Sequence, residues 1–455
     1  MTSGTLFKQT LSKLKKIFEG STMLFLLSTI AIIIANSPLN GIYQDFLNYP
    51  INIAVGDYNI FSHHGQPMTL SQFVNDALMA VFFFVVGLEI KQEILVGELS
   101  SAKKALLPVI AAFGGMIVPV IMFLLVCHSQ PESFGAAIPM ATDIAFALAM
   151  LSVLGSRVPY SLKIFLTALA VVDDIGGIII IALFYSSHVE AIYLLFAAIV
   201  LVISYIAGRK GVHDSSFYYI VGFIVWTLFL KSGIHPTIAG VLVALSAPAK
   251  THVHLSNLQQ RLRDMFDMLP KAQHRESGES VILSHEQICV INEMRQTTRK
   301  AVSPVQIMEN EVSPLVKNLI LPLFAFVNAG VCISDIDINS IFGLPLAITL
   351  GLFPGKAIGI FLFTVAAVKT GICSMPEGMN QKNLFALSVF GGIGFTVSLF
   401  IANLSFGNHI EMLNQAKLGI FAGTIISAAI GLFLLRTTLP NARTQSIIPE
   451  REPLK

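Results

Sequence analysis

The chain has 455 residues, of which 54% are hydrophobic and only 12% charged, and its mean hydropathy is +0.73. That is far more apolar than a soluble globular chain, and a formal net charge of +2 offers no electrostatic footprint for nucleic acid or a strongly acidic partner. What remains is a membrane protein, in which one crossing takes about 20 apolar residues because a helix rises about 1.5 Å per residue through roughly 30 Å of hydrocarbon.

The start, KQTLSKLKKIFEG, is basic and runs into the apolar STMLFLLSTIAIIIANS. A cleaved signal peptide has that form, and so has an uncleaved first span; the further spans that follow directly favour the second. Apolar segments then fall near residues 20–37, 72–92, 105–126, 134–154, 161–185, 190–207, 216–230, 233–248, 314–332, 340–367, 384–405 and 415–436. These predict an all-α membrane protein with twelve spans. Lys and Arg concentrate on the cytoplasmic side of membranes, which tests the count independently. With the N-terminus in the cytoplasm, Lys231 and Lys417 lie outside, Lys356 lies within a span, and every other basic residue is cytoplasmic. A miscounted span would invert every later loop.

The expected organisation is therefore a cytoplasmic segment at 1–19, spans one to eight at 20–248, a cytoplasmic insert at 249–313, spans nine to twelve at 314–436 and a cytoplasmic tail at 437–455. Residues 38–71 contain INIAVGDYNIF, whose partial alternation around the turn pair Gly56 and Asp57 fits an extracellular β-hairpin or an unstructured loop. In the insert, Leu255, Leu258, Leu262, Met265, Phe266 and Leu269 recur at helical spacing, which predicts a short amphipathic helix without catalytic residues. Cys127, Cys289, Cys332 and Cys373 show no CxxC or Cys/His spacing, so neither a zinc site nor a disulfide framework is supported.

The chemistry concentrates in four stretches. ALAVVDDIGGIIIIALF, residues 168–184, sets Asp173 and Asp174 in mid-span, where each aspartate costs about 2.5–3.5 kcal/mol on insertion scales and is functional by default. Consecutive residues project about 100° apart on a helix, so the two cannot face one partner. One meets a basic group and the other a water-filled cavity, where protons compete with a metal cation for it; a polar pair solvated near a helix end is the bland alternative. AAIPMATDIAFALAML, residues 136–151, places Thr142 and Asp143 in a span that Pro139 interrupts, and SVFGGIGFTVSLFIANL, residues 388–404, invites a second break at Gly391, Gly392 and Gly394. Interrupted spans in corresponding halves point to a transporter's midplane site, although close packing at small residues also explains the glycines. GLFPGKAIGIFLF, residues 351–363, carries Lys356, which needs a carboxylate or the negative ends of helices unless it snorkels to the surface. If the two broken spans cross, Asp143 suits the positive half-helix ends and Lys356 the negative.

ATDIAFAL, LTALAVVDDIGGIIIIALFY, LKSGIHPTIAGV, LPLFAFVNAGV, GKAIGI and GIGFTVSLFIA, in this order and over nearly the whole chain, resemble the bacterial NhaA family of Na⁺/H⁺ antiporters. The resemblance implies twelve helices in inverted repeats, with two discontinuous helices crossing, and export of Na⁺ or Li⁺ against H⁺ uptake. It makes Asp174 the main carboxylate for Na⁺ and H⁺, joins Asp173 to Lys356 in a protonation-sensitive ion pair, and assigns Thr142 and Asp143 to the crossing. Glu89 and Glu93 in GLEIKQEILVGEL and Glu309 in VQIMENEVSPL match acidic residues of the family's cytoplasmic funnel and pH response; a solvated ion pair with Lys91 or Lys104 is the alternative. His235 matches a histidine near the external end, modulating or merely packing. The chain departs from the family pattern at Asn310 and Ser313, where histidines stand near Glu309, and in its longer insert.

The resemblance further implies a homodimer formed through the extracellular hairpin, in a bacterial inner membrane with both termini cytoplasmic, serving pH homeostasis and salt tolerance. Its partners are sodium ions, protons and lipid, with no cofactor and no nucleic acid. More than one proton per Na⁺ would make exchange electrogenic. No GxxxxGK[ST] sequence occurs, so no ATP site is expected. Two rivals stand beside this secondary transporter: an intramembrane aspartyl protease using Asp143 and Asp174, which lacks a GxGD stretch, and a Na⁺-coupled symporter of organic solutes.

Overall fold

A computed structural model describes residues 20–439, apart from 53, 56–57, 60, 64–65, 186–188, 251–254, 269–284, 333–337 and 377. The predicted cytoplasmic segment 1–19, the turn pair Gly56–Asp57, Leu269 of the amphipathic stripe and the tail from residue 440 lie outside the described residues.

Helices dominate, as a bilayer requires of any chain whose backbone must satisfy its own hydrogen bonds. In chain order they are α1 Gly20–Ala35, α2 Asn40–Leu47, α3 Leu70–Leu95, α4 Ala102–Val126, a 3₁₀ segment Glu132–Met140, α5 Ile144–Ser152, α6 Tyr160–Phe184, α7 Ala191–Arg209, α8 Ser215–Ser232 and α9 Thr237–Ser246. They continue with α10 Leu255–Met268, α11 His285–Ala301, α12 Pro304–Ala329, α13 Ser340–Lys369, α14 Gln381–Phe390, α15 Phe395–Phe406 and α16 Ile410–Thr438. Among the described residues eight helices are long and apolar enough to cross a membrane, or up to eleven if each of three bent pairs counts as one. The protein is thus a multi-pass helical membrane protein. On α7 the side chains of Leu195, Phe196, Val202 and Ile203 are exposed, an apolar face suited to hydrocarbon.

Among the described residues, strand is confined to the connection between α2 and α3. Ala54 pairs antiparallel with Asn59 and Val55 with Tyr58, while Pro50–Ile51, Gln66–Thr69 and Ser62–His63 form a three-stranded sheet with Gln66–Thr69 in the middle. The described residues of this connection thus carry antiparallel strand pairs, preceded by a helix, α2, that the apolar pattern did not announce.

Two apolar runs have different bounds from those read in the sequence. Residues 233–248 yield only the ten-residue α9: Gly233 ends α8 in the left-handed region at φ +81°, and Pro236 occupies the N-cap of α9, so the first residues of the run form a turn. The ninth apolar run begins at 314, yet its helix starts at Pro304, where Ser303 accepts a bond from Gln306 N at 3.3 Å. Glu309, Asn310 and Ser313, assigned above to a polar insert, are therefore on a continuous membrane-length helix. The rest of the insert contains the expected helix as α10 and a second one, α11, tied to α12 by an Arg299–Glu311 ion pair of 2.6 Å.

Packing brings α4 against α13 through two glycines. A Cβ on Gly359 would lie 2.1 Å from Gly114 O, and one on Gly114 would lie 2.3 Å from Gly359 O, so the backbones touch where no side chain fits. This contact sets the height of Lys356, which follows a π-helical turn Gly351–Gly355 opened at Pro354, a residue without an N–H to donate. Gly359→Leu is expected to abolish a monodisperse folded species on size-exclusion chromatography in detergent; a wild-type elution profile and melting temperature would refute the close-contact assignment.

Candidate cation site

Pro139 lies within the segment Glu132–Met140, and residues 141–143 leave helical geometry before α5 resumes, bent by 44°. Gly391–Gly394 separate α14 from α15, bent by 46°. The two interruptions clasp one another: Asp143 N donates to Ile393 O at 2.7 Å, and Thr142 Oγ1 is 2.9 Å from Gly391 O.

Asp143 holds the clasp by capping two helices with one carboxylate. Its Oδ1 accepts from Phe146 N at 2.9 Å at the start of α5, and its Oδ2 accepts from Thr396 N at 3.0 Å and Thr396 Oγ1 at 2.6 Å at the start of α15. Both are N-termini with free N–H groups and positive partial charge. Sequence reasoning reached Asp143 at the positive ends but missed Thr396, an uncharged residue inside a quoted motif whose only signal was its place one residue into the helix after a break.

Asp173 and Asp174 are both buried near the middle of α6. Asp173 Oδ2 accepts from Lys356 Nζ and lies 2.8 Å from Thr142 Oγ1, while Lys356 Nζ also donates to Thr142 Oγ1 at 2.7 Å. Thr142 has one hydroxyl hydrogen, so it serves either Asp173 or Gly391 O. Asp173 Oδ1 is buried without a hydrogen-bond partner among the described residues. Of the two partners expected for Lys356, the carboxylate is the direct one, as the resemblance implied for Asp173, and the negative half-helix ends are not: Lys356 reaches the carbonyl of Gly391 through Thr142. A full counter-charge satisfies a buried ammonium better than a partial one.

Asp174 points elsewhere, as the 100° rotation between neighbours requires. It lines a cavity of about 730 Å³ together with Thr142, Asp143, Glu89, Glu93 and Glu309. The structure thus gathers six of the nine candidate residues around one space, with Asp173 and Lys356 joined to its wall through Thr142. Lys317, Gln92, Asn310 and Ser313 also line it; sequence reading had placed them in a loop or passed them over.

The cavity's acidic residues are not paired with Lys91, whose ammonium donates to Leu245 O at 2.6 Å and to Ala247 O, the carbonyl end of α9. Glu93 Oε2 accepts from Glu98 N at 2.9 Å, and Gln92 Nε2 donates to Glu309, linking α3 to α12. His235 stands outside the cavity lining. Its Nε2 is 3.4 Å from Asp76 Oδ1, its Nδ1 is 2.8 Å from Thr237 Oγ1, and its ring meets Phe400 edge-on at 5.3 Å. Asp76 was not singled out in the sequence, because nothing local connects residues 76 and 235.

The arrangement offers hard oxygen ligands, one carboxylate with a fixed cation and one without, in a pocket lined by further acids. That suits a small hard cation and its competitor, the proton. A family model described as Na⁺/H⁺ antiporter 1 matches residues 12–435. The chain is similar to proteins named Na(+)/H(+) antiporter NhaA: one from Porphyromonas gingivalis strain ATCC 33277, 57% identical over 431 residues, covering 94% of this chain and 95% of the relative; one from Parabacteroides distasonis, 53% identical over 94% of this chain and 96% of the relative; and one from Proteus mirabilis, 42% identical over 93% and 96% respectively.

Proposed function

The chain belongs to the Na⁺/H⁺ antiporter 1 family, and on that premise we propose that it exchanges Na⁺ or Li⁺ for H⁺ across a bacterial inner membrane by alternating access. Counting each bent pair as one crossing and adding α9 gives twelve crossings, arranged in inverted repeats with the two interrupted helices at their centre and both termini in the cytoplasm. Asp174 binds Na⁺ when ionised and releases it on protonation. Asp173, held by Lys356, supplies its second oxygen when that ion pair loosens, and Thr142 follows the change because its single hydrogen moves between Asp173 and Gly391 O. Asp143 keeps the two half-helices together while they tilt.

The observation that carries this reading is the unequal environment of two adjacent carboxylates: Asp173 sits on Lys356, and Asp174 faces the acid-lined cavity. Two protons per Na⁺ would carry net charge, so a membrane potential would drive the cycle with about 2.3 kcal/mol per charge per 100 mV. Glu89, Glu93 and Glu309 concentrate cations at the cavity mouth and tune the response to pH. Dimerisation through the hairpin strands belongs to the same proposal.

The protease alternative loses support from Asp143, whose two oxygens are committed to α5 and α15 and so are not free for a catalytic dyad with Asp174. In everted vesicles with an acid interior, added Na⁺ or Li⁺ is expected to alkalinise the lumen without any peptide or organic solute. Alkalinisation that required a solute would favour symport, and none at all would refute exchange.

A further inference from the structure

We propose that Tyr185 and Ser405 form a latch on the ion path beyond the carboxylates, at the end away from the large cavity; this deepens and rests on the antiport reading. Along α6 the cavity touches Thr167, Val171 and Asp174, toward the helix N-terminus. A second, narrow crevice of about 10 Å³ begins at Asp173 and Asp174 and follows Gly177, Ile178 and Ile181, toward the C-terminus. The same hand-over occurs on α15, where Thr396 and Val397 line the cavity, and Val397 and Ile401 the crevice. The two spaces meet the carboxylates from opposite ends of both helices, so the crevice is the continuation of the path.

The crevice has room for about one water, and beyond the carboxylates its walls are apolar, with Ile181 and Ile401 fully buried. A hydrated cation does not pass such a constriction. One helical turn further, at i+4 from Ile181 and from Ile401 and so on the same faces, stand Tyr185 and Ser405. Ser405 Oγ is 2.9 Å from Tyr185 Oη, and Tyr185 donates to Phe134 O at 2.7 Å. Phe134 belongs to Glu132–Met140, the first half of the interrupted pair that carries Thr142 and Asp143. One phenol therefore ties the aspartate-bearing helix to both interrupted helices.

The contact is built to release. Ser405 Oγ also lies 2.8 Å from Ile401 O, and its single hydrogen serves one partner at a time. When Tyr185 leaves, Ser405 stays satisfied within its own helix, so opening strands no donor on α15. Separation of the end of α6 from α15 and Phe134 would widen the crevice at Ile181 and Ile401 and bring two hydroxyl oxygens to its mouth.

The test uses the full chain in proteoliposomes, with the four native cysteines replaced by serine, wild-type flux retained, and Ile181→Cys as reporter. A cationic, membrane-impermeant thiol reagent is applied from the face opposite the cavity. Ser405→Ala is expected to raise the labelling rate about fivefold, the change that goes with loss of one ordinary hydrogen bond, and Tyr185→Phe, which keeps the ring but also loses the bond to Phe134 O, by at least as much. Ser405→Thr, which keeps a hydroxyl, should label at the wild-type rate. Unchanged labelling in both variants, or an equal rise from both faces, overturns the latch. Na⁺-dependent proton flux in the same vesicles separates the two claims: its absence in the wild type refutes antiport whatever the labelling shows, whereas normal flux with unchanged labelling removes only the latch.

Discussion

Asp174→Asn is expected to reduce Na⁺- and Li⁺-driven proton exchange to the background of protein-free vesicles at every pH tested, while the protein remains folded. The substitution is nearly isosteric, so packing within α6 is kept. The amide, however, offers one oxygen in place of two, carries no negative charge for Na⁺, and has no proton to surrender near neutral pH. Both halves of the exchange lose their group at once. Neutralising a buried carboxylate also removes a desolvation cost, so the melting temperature in detergent should equal or exceed that of the wild type. Exchange at half the wild-type rate or better in a folded Asp174→Asn protein would remove the carboxylate from the centre of the mechanism. A substantial fall in melting temperature would mean that its role is structural.

The second large effect is on stability. Lys356→Met keeps the length of the side chain but strands Asp173 as a buried charge, and breaking a buried pair by removing one partner costs about 3–5 kcal/mol. The residual bond from Thr142 Oγ1 does not replace a full counter-charge. Adding Asp173→Asn should recover most of the loss, because a neutral amide beside a methionine leaves no unpaired charge. The four proteins form a double-mutant cycle in which the coupling between the sites is read from thermal unfolding in detergent. Additive effects would show that Lys356 and Asp173 do not act as a pair in the folded protein. A double variant as unstable as Lys356→Met alone would place the loss elsewhere, for example in the packing of α4 on α13. Exchange is expected to be impaired in all three variants.

Several candidate residues were readable one by one because the bilayer penalises them individually. Charges at mid-span, a proline inside one span and three glycines inside another stand out against an apolar background, and the 100° rotation between Asp173 and Asp174 already separates their surroundings. The cavity rim was read less well. Glu309, Asn310 and Ser313 looked like the end of a polar insert because hydropathy tracks lipid-facing residues, and a helix wall that faces an aqueous cavity is polar by necessity. Lys91 resembled an ion-pair partner of Glu89 and Glu93 on sequence spacing alone, but the carbonyl end of α9 lies beside it and accepts two bonds from its ammonium.

By itself the amino-acid sequence determined that the chain is a helical membrane protein, where its long apolar runs lie, and which residues are too costly in lipid to be accidental. These follow from local quantities: length against hydrocarbon thickness, and the price of a charge or a missing N–H at depth. Only the tertiary structure decided that Thr142 stands between Lys356 and the carbonyl of Gly391, that Asp143 caps a second helix at Thr396 253 residues on, and that Tyr185 bridges α6, α15 and Phe134. Such pairings depend on which helix faces meet across the bundle, and helical periodicity repeats too uniformly along each span to specify its neighbour.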